Sequence, residues 1–386
     1  MEKFEFAFRV PTQIIFGCGC IEKLGKEVSI RGANKILLVC DSELSSLGVA
    51  KRLVNILGQE KKKVVLFDRT QSEPELEVAD ECAALGKSEA CDFVVGVGGG
   101  SSLDIAKAAA ILMTNEGSAR DYQGSGKVKN SGLKTIMIPS TAGTGSEVTP
   151  TAVFINKQAK IKLGINSPYL FPDLALLDPE LTLTLSSGIT AATGADALTH
   201  AIEAYTANQS SLISDMFALR AIELITQNLE FAVKNGSDLK VRGNMLLASC
   251  LAGIAIANAG VGASHAISYP LSVFYQVPHG VANGLLIPHV MKFNCETVTH
   301  KYANIAAKMG LPIKNLTLVE TGYKVCEKVS ELIKEVGIPQ RLSSFGVSSS
   351  SIAELAHATM QLTPVVRNNP RTFTEEDAKL ILNNAL

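Results

Sequence analysis

The chain has 386 residues, 46% hydrophobic and 19% charged, which is long enough for two domains with full cores and too apolar for disorder. Its 36 basic and 37 acidic side chains leave a formal charge of −1, so no excess charge would draw it to nucleic acid or to an anionic membrane. The opening "MEKFEFAF" lacks the basic and then apolar pattern of a signal peptide, and the eight cysteines form no CxxC pair, as expected of reduced thiols in a cytoplasmic protein.

The first third alternates between two patterns. "KILLVCD" (35–41), "KVVLFD" (63–68), "DFVVGVG" (92–98) and "KTIMIPS" (134–140) are short, nearly continuous apolar runs, as strands covered on both faces require. Stretches with apolar residues at helical spacing separate the first three: "SSLGVAKRLVNILGQ" and "ELEVADECAALGKSEA". A third such stretch, "SSLDIAKAAAILMT", follows the third strand. This alternation predicts a doubly wound α/β domain with parallel strands. After about residue 182 the sequence turns Ala- and Leu-rich and reads as helix throughout, with the boundary near "DPELTLTLSSG" (178–188). The most apolar run, Met245–Ala257, has 13 residues, too few to span a bilayer, and predicts a buried helix.

Three constellations carry chemistry. In "VVGVGGGSSLDIAK" (94–107) a strand ends in Gly98, Gly99 and Gly100 and a helix opens at Ser101 or Ser102. Free N–H groups and the positive helix end there suit a phosphate, although a purely structural glycine turn looks the same. The dinucleotide fingerprint is incomplete, because Ser101 and Leu103 stand where a last glycine is needed. A second loop of small residues, "IPSTAGTGSEVT" (138–149), also follows a strand. Asp41, ending the first run, suits the hydroxyls of an adenosine ribose and would repel a 2′-phosphate, though an Asp opening a turn is equally ordinary.

The third constellation is Asp196 and His200 in "GADALTHAIEAY", four apart on one helical face, with His265 and His279 further on. One carboxylate and three imidazoles suit a divalent metal with a position left for substrate. Spacing alone does not decide the matter: Glu296 and His300 show the same interval, and His289, His300 and His357 read as ordinary histidines.

Taken in order, "GGGSSLDIAK", "IPSTAGTGSEVT", "FPDLALLDPEL", "ATGADALTHAIEAY", "GVGASHAISYPLSVFYQVPHGVANGLLIPHVMKFN" and "NNPR" make the chain similar to the iron-dependent, group III alcohol dehydrogenases across essentially its whole length. The resemblance implies a Rossmann-like, doubly wound nucleotide-binding domain over 1–182 and an all-α metal-binding domain over 183–386. Dehydroquinate synthase has the same general architecture. Matched by motif, Asp196, His200, His265 and His279 are the implied metal ligands, for iron or alternatively zinc. Gly98, Gly99, Gly100, Ser101 and Ser102, with Asp104 beyond them, correspond to the pyrophosphate loop. Ser140, Thr141, Gly143 and Thr144 correspond to cofactor-lining residues and Lys162 to a lysine near the ribose. Asp41 matches an acidic residue associated with NAD rather than NADP.

Three departures soften the substrate assignment. Glu73–Pro74 replaces a common Asn–Pro, and Tyr269 stands four residues after His265 where many relatives have a proton-relaying histidine. Thr151 and Ile256 occupy variable pocket positions and are modest in size. The expected reaction interconverts a small primary alcohol and its aldehyde with NAD(H), in a cytoplasmic homo-oligomer without nucleic-acid or membrane partners. The same chemistry on a hydroxyacid or another anionic hydroxy compound is the rival. A metal-dependent lyase or synthase of the dehydroquinate synthase type, which uses NAD only transiently, and a non-catalytic metal- or nucleotide-binding protein are the further alternatives.

Overall fold

The computed structural model describes residues 5–386, and the chain divides into two compact units. One comprises Val10–Thr141 and Gly145–Leu183. The other comprises Ala142–Thr144 and Thr184–Leu386, with the segment up to Arg9.

The first unit is built on strands β1 (Gln13–Phe16), β2 (Lys35–Asp41), β3 (Lys63–Thr70), β4 (Phe93–Gly98), β5 (Gly124–Ser125), β6 (Thr135–Pro139), β7 (Thr151–Asn156), β8 (Ile161–Asn166) and β9 (Leu174–Leu177). Its helices are α1 (Leu24–Ile30), α2 (Ser42–Ser46), α3 (Val49–Gln59), α4 (Leu76–Ser88) and α5 (Gly100–Leu112). Six strands form a parallel sheet in the order β1-β9-β6-β4-β2-β3. The four apolar runs are β2, β3, β4 and β6. β4 and β6 are buried along their whole length because hydrophobic clusters cover both sheet faces. From β2 the chain winds to β3 on one side and to β4 on the other. The crevice at the carboxyl ends of β2 and β4 is therefore a topological switch point.

The sequence pattern does not show β1, β9 or the small sheet β5-β8-β7. β1 is an edge strand with little burial, and β7 alternates half-buried and buried residues rather than running continuously apolar.

The second unit is helical: α6 (Ser187–Thr206), α7 (Leu212–Lys234), α8 (Leu239–Ala259), α9 (Ala263–Tyr275), α10 (His279–Asn294), α11 (Thr299–Lys308), α12 (Leu318–Glu335), α13 (Ile352–Met360), α14 (Thr363–Asn368) and α15 (Glu375–Ala385). Side-chain oxygens of Ser186, Ser211 and Asp238 cap the starts of α6, α7 and α8. α8 is longer than its most apolar run. At 21 residues it is long and apolar enough to cross a membrane by length and composition, which the length of the run did not foresee. It packs instead on α6 and α7, with 61% of its apolar stretch buried.

Candidate functional site

α6 lies in the middle of the helical unit, and its neighbours α7, α8 and α10 leave most of its faces dry. Asp196 and His200 are therefore buried, at 2% and 5% exposure. His265 stands in the first turn of α9, and His279 opens α10. α10 approaches α6 so closely that a Cβ at Gly280 would lie 2.3 Å from the Ala192 carbonyl oxygen, so any side chain there would lever His279 away from Asp196. The His265 ring stacks on that of His200 at 4.7 Å and meets that of His279 edge-on at 5.3 Å.

Among the described residues, Asp196, His200, His265 and His279 form a group whose ligand atoms all lie within 4.8 Å of one another. Nε2 of His265 is 3.9 Å and Nε2 of His279 is 3.7 Å from Asp196 Oδ1. Glu296 and His300, equally spaced in sequence, are exposed and join no such group. Two of the imidazoles are oriented from behind: His200 Nδ1 lies 3.3 Å from the Gly143 carbonyl oxygen, and His265 Nδ1 lies 2.6 Å from Glu203 Oε2. Both contacts leave Nε2 facing the cluster.

Burial by itself would raise the Asp196 carboxyl. The imidazoles of His200, His279 and His265, with a hydrogen bond from Asn283, outweigh it and hold the group below the usual carboxylate range. Burial lowers the His200 imidazole, keeping it neutral with a lone pair to give. One carboxylate and three imidazoles without a thiolate fit a divalent first-row cation, and the Irving–Williams order by itself would favour zinc over iron.

In the α/β unit the glycine turn follows β4. Gly98 has φ +144°, and a Cβ there would sit 2.7 Å from Ser102 Oγ, so no other residue fits. Gly99 is the N-cap and α5 starts at Gly100, ahead of the expected start at Ser101 or Ser102. Ser102 is buried and its hydroxyl is paired with Thr70 Oγ1 at 2.6 Å, leaving its backbone N–H at the helix end. Asp104 faces inward: Ser146 Oγ donates to it at 2.5 Å, the Val153 amide at 2.9 Å, and Lys107 lies at 3.2 Å. That carboxylate braces the protein.

Asp41 opens a turn, as an Asp at that position often does. Oδ1 accepts the Leu44 N–H at 2.8 Å and caps α2, while Oδ2 turns toward Gly98. The Ser140 N–H donates to the Gly98 carbonyl at 2.9 Å, and Thr141 flanks Gly99, so the two small-residue loops adjoin. Lys162 is buried and ion-paired with Glu73, whose φ of +53° is a conformation Asn tolerates better than Glu. Gly143 and Thr144 belong to the helical unit, where Gly143 lies against Thr193 of α6. Of the three pocket candidates, Thr151 begins β7 and Ile256 lies on α8. Tyr269, on α9, has its ring 5.6 Å from that of His279 and 6.2 Å from that of His265.

Residues 11–179 match the family model described as iron-containing alcohol dehydrogenase, and residues 190–386 match that of the Fe-containing alcohol dehydrogenase C-terminal domain. The long-chain-alcohol dehydrogenase 1 of Geobacillus thermodenitrificans is 38% identical over 372 residues, covering 96% of this chain and 94% of that one. The NAD-dependent methanol dehydrogenase of Bacillus methanolicus is 35% identical, covering 98% and 99%. The crystal structure of a 1,3-propanediol oxidoreductase superposes with a TM-score of 0.96 at 35% identity, covering 99% and 100%. The chain belongs to the iron-containing alcohol dehydrogenase family. Its activity is that of an NAD-dependent alcohol dehydrogenase, interconverting an alcohol and an aldehyde.

The sequence reading missed two polar residues that pack against this candidate metal cluster. Glu203, buried one turn beyond His200, accepts the Gly262 N–H at 2.9 Å and the Ser264 N–H at 2.6 Å as well as the His265 ring N–H. Asn283, fully buried one turn beyond His279, lies against Asp196. Helical spacing from the candidate ligands is the signal that could have found both. The late "NNPR" is also accounted for. The Asn368 side chain donates to the carbonyls of Ala259 and Val261, and Asn369 exchanges amide hydrogen bonds with Asn294. Together they hold the loop whose Gly262 N–H reaches Glu203.

Proposed function

We propose that Asp196, His200, His265 and His279 hold a divalent cation, iron in the cell or alternatively zinc, and that the protein acts there on small primary alcohols and their aldehydes. The observation that carries this reading is the convergence of the four donor atoms within 4.8 Å, on three buried residues and the half-buried His279. When bound, the cation supplies Lewis acidity toward the substrate oxygen and NAD(H) supplies the hydride chemistry. The protein's own part is electrostatic and positional. Asp196 stays ionised, burial keeps His200 neutral, and Glu203 fixes the His265 ring so that Nε2 faces the cluster.

For the cofactor we assign the pyrophosphate to the N–H groups from Gly98 to Ser102 and the adenosine ribose to Asp41. Ser140, Thr141, Gly143, Thr144 and Lys162 serve the remaining contacts. Asp104 is a brace in this assignment rather than a cofactor contact, since Ser146 Oγ and the Val153 amide take its two oxygens. Thr151, Ile256 and Tyr269 are the residues we assign to substrate selection. Tyr269 adjoins the rings of His265 and His279, which supports its place in the substrate pocket. We also take the protein to be a cytoplasmic homo-oligomer with no nucleic-acid or membrane partner, in keeping with its balanced charge.

The test is a panel of short aldehydes, neutral and anionic, followed by NADH absorbance with Fe²⁺ or Zn²⁺ added. Turnover of neutral short aldehydes that stops on exhaustive chelation is expected. Full activity without metal would sink the metal assignment, and preferential turnover of anionic aldehydes the substrate assignment.

A further inference from the structure

The Asn283 side chain sits where no ordinary supporting residue should. Its Nδ2 is 2.7 Å from Asp196 Oδ1, 3.0 Å from His265 Nε2 and 3.2 Å from His279 Nε2. These are the same three atoms that face the candidate cation position. An amide nitrogen carries two hydrogens and cannot satisfy three acceptors. The other end of the amide is worse served: Oδ1 is fully buried with no hydrogen-bond partner. No hydrogen bond from behind pins its plane, and all its side-chain hydrogen bonds run to the candidate ligand atoms.

A cation bonded to Asp196 Oδ1 and the two imidazole nitrogens would fall within van der Waals reach of Nδ2. The hydrogens of that nitrogen carry positive charge, so the amide and the cation repel each other. In a site without a cation the same hydrogens do the cation's work, giving the buried Asp196 carboxylate a donor and keeping two imidazole lone pairs from facing an anion unscreened.

We propose that Asn283 is a latch: its amide nitrogen stands in for the cation when the site is empty, and the side chain gives way when the metal enters. The latch keeps the empty site assembled, and metal binding must break its bond to Asp196. Removing the amide should thus tighten metal binding, the reverse of what removing a supporting residue does. This inference rests on the metal-site reading above.

The test compares wild type with Asn283→Ala and Asn283→Ser, each stripped with chelator and titrated with Zn²⁺ against a chromophoric chelator, with melting temperatures recorded in both states. Wild type should bind Zn²⁺, and both variants should bind about tenfold more tightly, the equivalent of one charge-assisted hydrogen bond that wild type alone must break. Their melting temperatures should fall in the stripped state and hold in the loaded one. A variant that folds only with zinc supports the latch equally, since the empty site then fails without the amide. Equal or weaker binding, or variants that fold in neither state, would show that the loaded site needs the amide and would overturn the latch. Failure of wild type to bind Zn²⁺ would overturn the site itself.

Discussion

Glu203→Gln is the substitution that most directly tests how the proposed metal cluster is supported. In wild type Oε1 receives the Ser264 N–H, while Oε2 receives both the Gly262 N–H and the His265 ring N–H. A glutamine has one oxygen for these two positions. It loses least by placing that oxygen at Oε2, which sets its NH₂ against the Ser264 N–H and breaks one bond. Loss of a single charge-assisted hydrogen bond costs about 1.5–3 kcal/mol, so the variant should fold with a lowered denaturation midpoint. The larger effect falls on His265. A neutral amide polarises the ring N–H less than a carboxylate does, and outer partners of this kind typically govern about 10–100-fold in metal affinity. Chelator competition with Zn²⁺ reads that loss, and urea unfolding of the stripped protein reads the structural cost separately. Glu203→Ala, by contrast, orphans all three donors at a cost of about 5 kcal/mol or more, a large part of a domain's stability. A Gln variant with unchanged metal affinity and the expected stability loss would refute the claim that Glu203 acts through the imidazole.

Three further outcomes follow from the α/β unit. Gly98→Ala forces a side chain into φ +144° and 2.7 Å from Ser102 Oγ, so it should destabilise by about 2–3 kcal/mol and abolish the NADH fluorescence change on binding. Asp41→Ser keeps a side-chain cap for α2 but removes the charge facing Gly98. It should raise NADPH binding relative to NADH with the melting temperature nearly unchanged, and an unchanged ratio would remove Asp41 from the ribose. Burial raises the Glu147 carboxyl to about 7 from an ordinary 4.5, so its contribution to stability is fully present below 4.5 and is lost as pH rises through about 7. Glu147→Gln should therefore be more stable than wild type above pH 8, by up to about 3 kcal/mol, and gain nothing at pH 4.5, as urea unfolding across pH can check.

How far the sequence could be read depended on how local the governing physics was. β2, β4 and β6 are legible because covering a strand on both faces leaves no room for polar alternation, whereas the half-buried β7 and the edge strand β1 leave no comparable imprint. α8 shows the same limit in reverse: composition alone fits a membrane span, and only its packing on α6 and α7 says otherwise. At the candidate site, helical spacing made Asp196–His200 and Glu296–His300 equivalent, because i and i+4 share a face on any helix. What separates the two pairs is what faces them. α6 is enclosed, and the glycine at 280 lets α10 bring His279 against Asp196, while Glu296 and His300 lie at the surface. Glu203 and Asn283 escaped notice for a related reason. Each stands one turn beyond a histidine, but a buried carboxylate or amide declares its purpose only through the atoms it touches, and those are contributed by α9 in one case and by α6 and α9 in the other. Only the Asp196–His200 half of the donor set lies on one helix and shows as spacing; His265 and His279 come from two further helices. The groups that orient and occupy the site belong to the packing between helices, and it is there that substitutions should separate metal affinity from fold.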